Sequence, residues 1–372
     1  MRHNEDEVKT VEPRCIRSIL VVELTRLGDV IAALHPVRLL SQHYAGARLH
    51  LMVDRAYAGL CQTMLPSSTV HGIPDVHAAW GFLKAVHVAR QVGSDLACSM
   101  SPGRRNVFVV RASGAPRKTG YLTPTGSLTP FLRRNPVGAV GFRLASDQTF
   151  EQENIEERGL KICRALGLDA SFRPAPFSLP PETVRDVRLR LLRRDGFPTR
   201  PYLLVHPFAR WKFRMWGLER YSRLIGRLLE VPGFDILLLC APGEIGAVRE
   251  VTSRYGKEGR VKIFASSDLI ETAVTIQGAR LFIGNDSGPL HLAATLGVRF
   301  VGLFGPASPA LTGPHRSNGV MLFHPVECSP CDQRTCVRPN NSCMTLIGED
   351  EVYEAVAQHL RFSAGGPVVA HA

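Results

Sequence analysis

The chain has 372 residues, more than a single hydrophobic core usually spans, so two domains are expected. Its 45% hydrophobic and 7% aromatic content suits a soluble α/β enzyme, and no apolar run is long enough to cross a bilayer. The formal charge of +12 argues against a neutral surface and for anionic partners.

Residues 1–14 are polar and acidic, with no apolar stretch fit for a signal peptide, and read as a loose tail on a cytoplasmic protein. Residues 16–22 (IRSILVV) are β-branched and apolar, as a buried parallel strand requires. A short loop, ELTRLGD, leads to a helix with Val30, Leu34 and Val37 on one face, then to a second strand over residues 49–53. That is a β-α-β unit, whose crossover helix covers a parallel sheet.

From Asp95 to Asp147 no acidic residue occurs, while Arg104, Arg105, Arg111, Arg117, Lys118, Arg133, Arg134 and Arg143 do. Such a one-sign stretch attracts nucleic acid, an anionic membrane face or a phosphorylated substrate, unless it is simply a solvated basic surface. Residues 172–200 are proline-rich around one arginine-rich helix and read as the interdomain connection.

The second half alternates strand and helix more clearly. Strands are expected over residues 202–205, 234–239, 281–283 and 300–303, with helices over 218–229, up to about 255, and up to about 296. The fold class is therefore α/β with two doubly wound parallel sheets, whose ligands sit beyond the carboxyl ends of the strands. The first domain is expected over residues 15–175, a linker over 176–200, the second domain over 201–345, and a closing helix and tail over 346–372.

The most informative loop is GNDSGPLHLAATLG. A strand ends at Gly284, Asp286, Ser287 and Gly288 make a turn, and His291 lies one turn into the next helix. A helix N-terminus offers unpaired N–H groups and a positive dipole end to a phosphate. Ser287 adds a hydroxyl, and Asp286 is expected to be free for sugar hydroxyls. The plainer reading is a capped helix with a structural histidine.

This segment, with VGLFGPASPALTGP after it, resembles the signature of the ADP-heptose:lipopolysaccharide heptosyltransferases, glycosyltransferase family nine. The resemblance implies two Rossmann-like domains facing each other across a cleft, the GT-B type, with this segment holding the donor's diphosphate and sugar. TRLGDVIAALHPVRLL resembles the family's N-terminal motif, which makes Asp29 the implied general base. A helix start favours a carboxylate, and helix capping is the competing role for it. HPFARWKFRMWGLERYSRLI resembles the segment whose lysine meets the donor phosphates, and by register that residue is Arg214, with Lys212 as an alternative cation. Phe208 and Gly217 stand where the family has Gly and Pro, which leaves the donor's identity open. LLLCAPGE resembles the loop whose acid holds the donor ribose, implying Glu244, and Ser267 and Asp268 align with the loop edging the base.

No Asp-x-Asp pair occurs, which fits the metal-independent chemistry the resemblance implies. The implied partners are a nucleotide-sugar, probed first as ADP-heptose, and an anionic lipid-linked oligosaccharide at the inner membrane leaflet, with Arg104, Arg105, Arg117 and Lys118 as candidate acceptor contacts. The same fold and reaction with another nucleotide-sugar, in O-antigen, capsule or protein glycosylation, is the nearest alternative. A non-catalytic basic binder of nucleic acid or membrane is more remote, because no aromatic residues interleave with the arginines. Cys328, Cys331, Cys336 and Cys343 crowd one segment and are weighed as a structural zinc site against packed or redox-labile thiols.

Overall fold

The computed structural model describes residues 16–101, 103–120, 143–144, 153–171, 175–194, 196–255, 259–315, 318–331, 335–338 and 342–364. The tail expected over residues 1–14, together with Cys15, Arg133 and Arg134, lies outside them. The chain divides into two compact units, Met1–Ala175 and Pro176–Ala372.

In the first unit, β1 (Ser18–Glu23) is buried along its whole length, as its SILVV run requires of a central strand. It is followed by α1 (Leu27–His43), β2 (Arg48–Asp54), α2 (Arg55–Met64), β3 (Thr69–Ile73) and α3 (Ala79–Val92). The stretch left open by the sequence forms β4 (Leu96–Cys98), α4 (Arg104–Ala112), β5 (Arg117–Gly120) and β6 (Arg143–Leu144). All six strands pair in parallel in the order β3-β2-β1-β4-β5-β6. The sheet therefore reverses direction of build between β1 and β4, which is where such folds open a crevice. Helix α5 (Ile155–Ala165) lies on α1, and the two approach closely at Gly159, where a Cβ would stand 2.5 Å from the Pro36 ring.

The second unit begins before its first strand. Helix α6 (Pro181–Leu192) buries Val187 and Leu191 and packs on α9 (Leu269–Gln277), so residues 176–200, expected as a linker, are grouped with this unit. Between them run β7 (Tyr202–His206), α7 (Leu218–Leu229), β8 (Asp235–Cys240), α8 (Ile245–Thr252) and β9 (Val261–Ala265). After α9 come β10 (Leu281–Asn285), α10 (Gly288–Thr295), β11 (Phe300–Phe304), the short α11 (Pro309–Thr312), β12 (Gly319–Phe323) and α12 (Glu349–Ala364). The second sheet is also fully parallel, in the order β12-β11-β10-β7-β8-β9, with its reversal between β7 and β10. Its core gathers Leu203, Val205, Ile236, Leu238, Ile283 and Val301 from the strands. Helix α12 adds Val352 and Val356, so the last helix packs on α7 and the second sheet. Among the described residues no helix is long and apolar enough to cross a membrane.

Gly217, where the family motif has proline, has φ +108°, ψ 133° just before α7. Proline is confined to φ near −65°. The entry to α7 is thus built on a backbone that only glycine adopts without strain.

Candidate functional site

Both reversal points carry polar side chains. In the first unit, Asp29 occupies the first turn of α1, just beyond the end of β1. It lines a small cavity with Ala33, Met100, Ser101, Ile155 and Arg158. The walls thus come from α1, from the loop after β4, and from α5.

That loop is fastened by Glu23, the fully buried last residue of β1. Its Oε1 accepts from Met100 N at 2.5 Å and Ser101 N at 2.9 Å, and its Oε2 accepts from Ser101 Oγ at 2.5 Å and Asn106 Nδ2 at 3.3 Å. Asn106 Oδ1 in turn accepts from Leu24 N at 2.8 Å. A single carboxyl therefore links the ends of β1 and β4. Burial pushes the Glu23 carboxyl up to about 7, opposed chiefly by the Ser101 hydroxyl and the Met100 N–H, with nearby Asp29 adding to the rise.

The candidate acceptor contacts are less gathered. Arg104 and Arg105 are exposed at the start of α4, and Arg105 is bonded to His77 Nδ1 at 3.1 Å and His77 O at 3.0 Å. Arg117 and Lys118 lie half-buried on β5. The Lys118 ammonium turns back onto the Ala115 carbonyl, and burial and Arg111 lower its pKa.

In the second unit, β10 delivers Asp286 and Ser287 to the start of α10. Asp286 is 3% exposed, and its Oδ2 accepts from Arg214 NH1 at 2.7 Å and Thr312 Oγ1 at 3.3 Å. This corrects the expectation that Asp286 is free for a sugar: one oxygen is committed to the arginine that follows β7. The other oxygen, Oδ1, is shielded, has no hydrogen-bond partner and stands 3.5 Å from His291 Nε2. Ser287 is the N-cap, yet its shielded hydroxyl makes no capping bond and has no partner either. Leaving two such groups unpaired costs about 1–3 kcal/mol each, an expense that a bound polar ligand would remove.

Asn285 frames this turn. Its side chain accepts from Trp216 N and Tyr221 OH, each at 3.1 Å, and donates to Pro207 O at 2.8 Å. The loop bearing Arg214 is thereby tied to the loop bearing Asp286. Phe208 is buried in the second core beside Trp216.

Glu244 lies in a 3-10 turn after β8, where its Oε2 accepts from Ala241 N at 2.8 Å, so half of its carboxylate serves as a cap. Asp268 caps α9 through bonds to Ile270 N at 2.8 Å and Glu271 N at 3.3 Å, with Ser267 exposed beside it. Arg214, Asp286, Ser287, Gly288 and His291 are brought together, while Glu244 and Ser267 occupy the following strand ends of the same sheet edge.

The four clustered cysteines follow β12. Burial raises the Cys343 thiol, and Cys331, Cys328 and Cys336 add to that rise, so the thiols are neighbours. Among the described residues no three His, Cys, Asp or Glu side chains are arranged to share a metal ion.

Glu23, Ser101, Arg158 and Thr312 were not singled out by the sequence. Only Glu23 leaves a local signal, an acid closing an otherwise apolar strand.

The sequence profile of glycosyltransferase family 9 (heptosyltransferase) matches residues 173–341, which hold the Arg214–Asp286 turn. Lipopolysaccharide heptosyltransferase 3 of Escherichia coli is 26% identical over 57% of this chain, a match spanning 62% of that protein, less than two thirds of its length. Lipopolysaccharide heptosyltransferase 1 of Pseudomonas aeruginosa is 25% identical over 86% of this chain and 87% of its own. The solved structure of E. coli ADP-heptose lipopolysaccharide heptosyltransferase II is similar in fold, with a TM-score of 0.72 at 19% identity, covering 94% of this chain and all of that one. Two parallel sheets, each reversing where Asp29 or Asp286 follows a strand, and these likenesses make the chain similar to glycosyltransferase family 9, the heptosyltransferase family, most directly over residues 173–341.

Proposed function

We propose that this protein transfers a heptose, or a closely similar sugar, from an ADP-sugar to an anionic lipid-linked core oligosaccharide in lipopolysaccharide biosynthesis. The observation that carries the proposal is the part-buried Arg214–Asp286 pair at the N-terminus of α10, beside two shielded oxygens that make no hydrogen bond. The diphosphate would lie against the N–H groups opening α10, where the helix dipole favours negative charge. Arg214, held by Asp286, would offset the charge that develops as the bond between sugar and diphosphate breaks. Asp286 Oδ1, Ser287 Oγ, Gly288 and His291 would orient the sugar and phosphates, and the uncommitted edge of Glu244 the ribose. Ser267 would border the base. Asp29 would accept the proton of the acceptor hydroxyl as its oxygen bonds to the sugar carbon, releasing ADP. No step is routed through a metal, since the arginine and the helix N-terminus serve the charge.

The acceptor would be gripped through its phosphates by the basic residues of the first unit, Arg104, Arg105, Arg117 and Lys118, with the protein working in the cytoplasm at the inner membrane face. A second reading keeps the reaction and changes the donor sugar. It is favoured by Arg214 in place of lysine and by the Gly217 backbone, which proline could not reproduce.

Titration calorimetry with ADP-heptose, UDP-sugars and GDP-sugars tests the donor site. Wild-type protein is expected to bind the ADP-sugar, and Asp286→Ala and Arg214→Ala to weaken it by about tenfold or more. Asp29→Asn should lower turnover by roughly a hundredfold or more with donor affinity kept. Near-normal turnover of Asp29→Asn would exclude the assigned base, and preference for another nucleotide would select the second reading.

A further inference from the structure

The arginine-rich helix α6 is not used by the proposed reaction. Its inner face buries Val187 and Leu191 against α9, and Arg194 anchors its end to Glu271 at 2.7 Å. At about 100° of rotation per residue, Leu189 and Leu192 point the opposite way. They are 52% and 42% exposed, among the few large apolar side chains so uncovered in the described residues. Arg188, Arg190 and Arg193 flank them, all exposed, and no acid occurs from Arg188 to Arg193. Asp186, the nearest acid on the helix, stands about one turn before Leu189 and lies 3.3 Å from the adjacent Arg185, which partly answers its charge.

Both features of this face need explaining together. Arginines alone would suit any anion, and two isolated leucines would be unremarkable. Leucines three residues apart, set among arginines, match the boundary of an anionic bilayer: apolar tips enter below the headgroups while guanidinium groups stay at phosphate level. The inward face is already anchored in the core, so binding requires no refolding of the helix. We propose that the outward face of α6, centred on Leu189 and Leu192 and rimmed by Arg188, Arg190 and Arg193, docks this protein onto a bilayer of anionic phospholipid.

The inference takes its biological sense from the lipid-linked acceptor proposed above, but its test reads membrane binding without turnover, so either reading can fail alone. The full chain is floated with vesicles of phosphatidylcholine, or of equal parts phosphatidylcholine and phosphatidylglycerol. Wild-type protein should float with the anionic vesicles and stay behind with the neutral ones. Leu189→Ser with Leu192→Ser should weaken anionic binding roughly tenfold, and Arg190→Gln with Arg193→Gln about 25-fold, because each surface arginine contributes about a fivefold factor. Leu189→Trp should keep or strengthen binding, a result that mere disturbance of the helix would not give. Thermal melts check that each variant is folded. Absence of anionic binding by the wild type would overturn the proposal. So would a folded serine variant that binds like the wild type, which would leave only electrostatic attraction by the arginines, with no insertion of the leucines.

Discussion

Glu23 shows how much one side chain can hold. It takes up the backbone N–H groups of Met100 and Ser101 and the Ser101 hydroxyl, and so shapes the wall facing Asp29. Its pKa rises from 4.5 to about 7 on folding, so between those values the native state binds more protons than the unfolded chain. For a raised carboxyl the stability is greatest below the unfolded pKa and is lost as pH climbs through the folded one, at most about 3 kcal/mol here. Urea melts at about pH 5 and about pH 8 should therefore show the wild type weaker at the higher pH. Glu23→Gln should flatten that difference, although its amide meets two N–H donors and lowers stability throughout. An unchanged slope in the variant would mean that another group titrates. The placement of Asp29 and Asp286 at helix starts directly after strands was legible in the sequence, while the role given to Asp29 came only with the family motif. The bond that commits Asp286 to Arg214 spans 72 residues, and nothing in the local pattern of either segment foretold it.

At the scale of elements, the cavity beside Asp29 depends on how closely α5 lies on α1. Gly159 permits that approach, since a Cβ there would meet the Pro36 ring at 2.5 Å and Met100 at 3.4 Å. Alanine gains about 1 kcal/mol of helix propensity over glycine, but a rigid ring inside α1 cannot give way, and overpacking costs about 1–3 kcal/mol. Gly159→Ala is expected to be net destabilising and to lower the melting temperature by several degrees. A melt equal to the wild type's would show that α5 slides without penalty. The strands and helices of the second half were readable because apolar runs of five or six residues alternate with loops rich in Gly and Pro. The stretch from β4 to β6 was not, because three of its strands have only two to four residues and draw their order from β1 and β4 rather than from their own composition.

At the scale of the whole molecule, each unit repeats the same strand order, and the second is completed only by its last helix. Val352 and Val356 are fully buried in its core, and Arg223 reaches Glu349 at 2.6 Å. Ending the chain after Gly348 would strip about 3–5 kcal/mol of apolar burial from a domain whose total is of order 5–15 kcal/mol. The shortened protein is expected to bind a hydrophobic dye and lose the cooperative melt of its second unit. A sharp unfolding transition unchanged by the truncation would show that α12 is dispensable. The two-sheet plan was visible in the sequence as two similar halves. The place of α12 was not, because an amphipathic helix does not say which of two sheets it will cover.

The Asn285 side chain, bonded to Trp216, Tyr221 and Pro207, leaves a further consequence. It braces the loop from behind, while Arg210 and Lys212 remain on the outside of the same loop. Exposed side chains on the outer side can be exchanged without disturbing that brace. A substitution at position 285 would instead loosen three bonds at once, so tolerance of change should fall sharply from one side of the loop to the other.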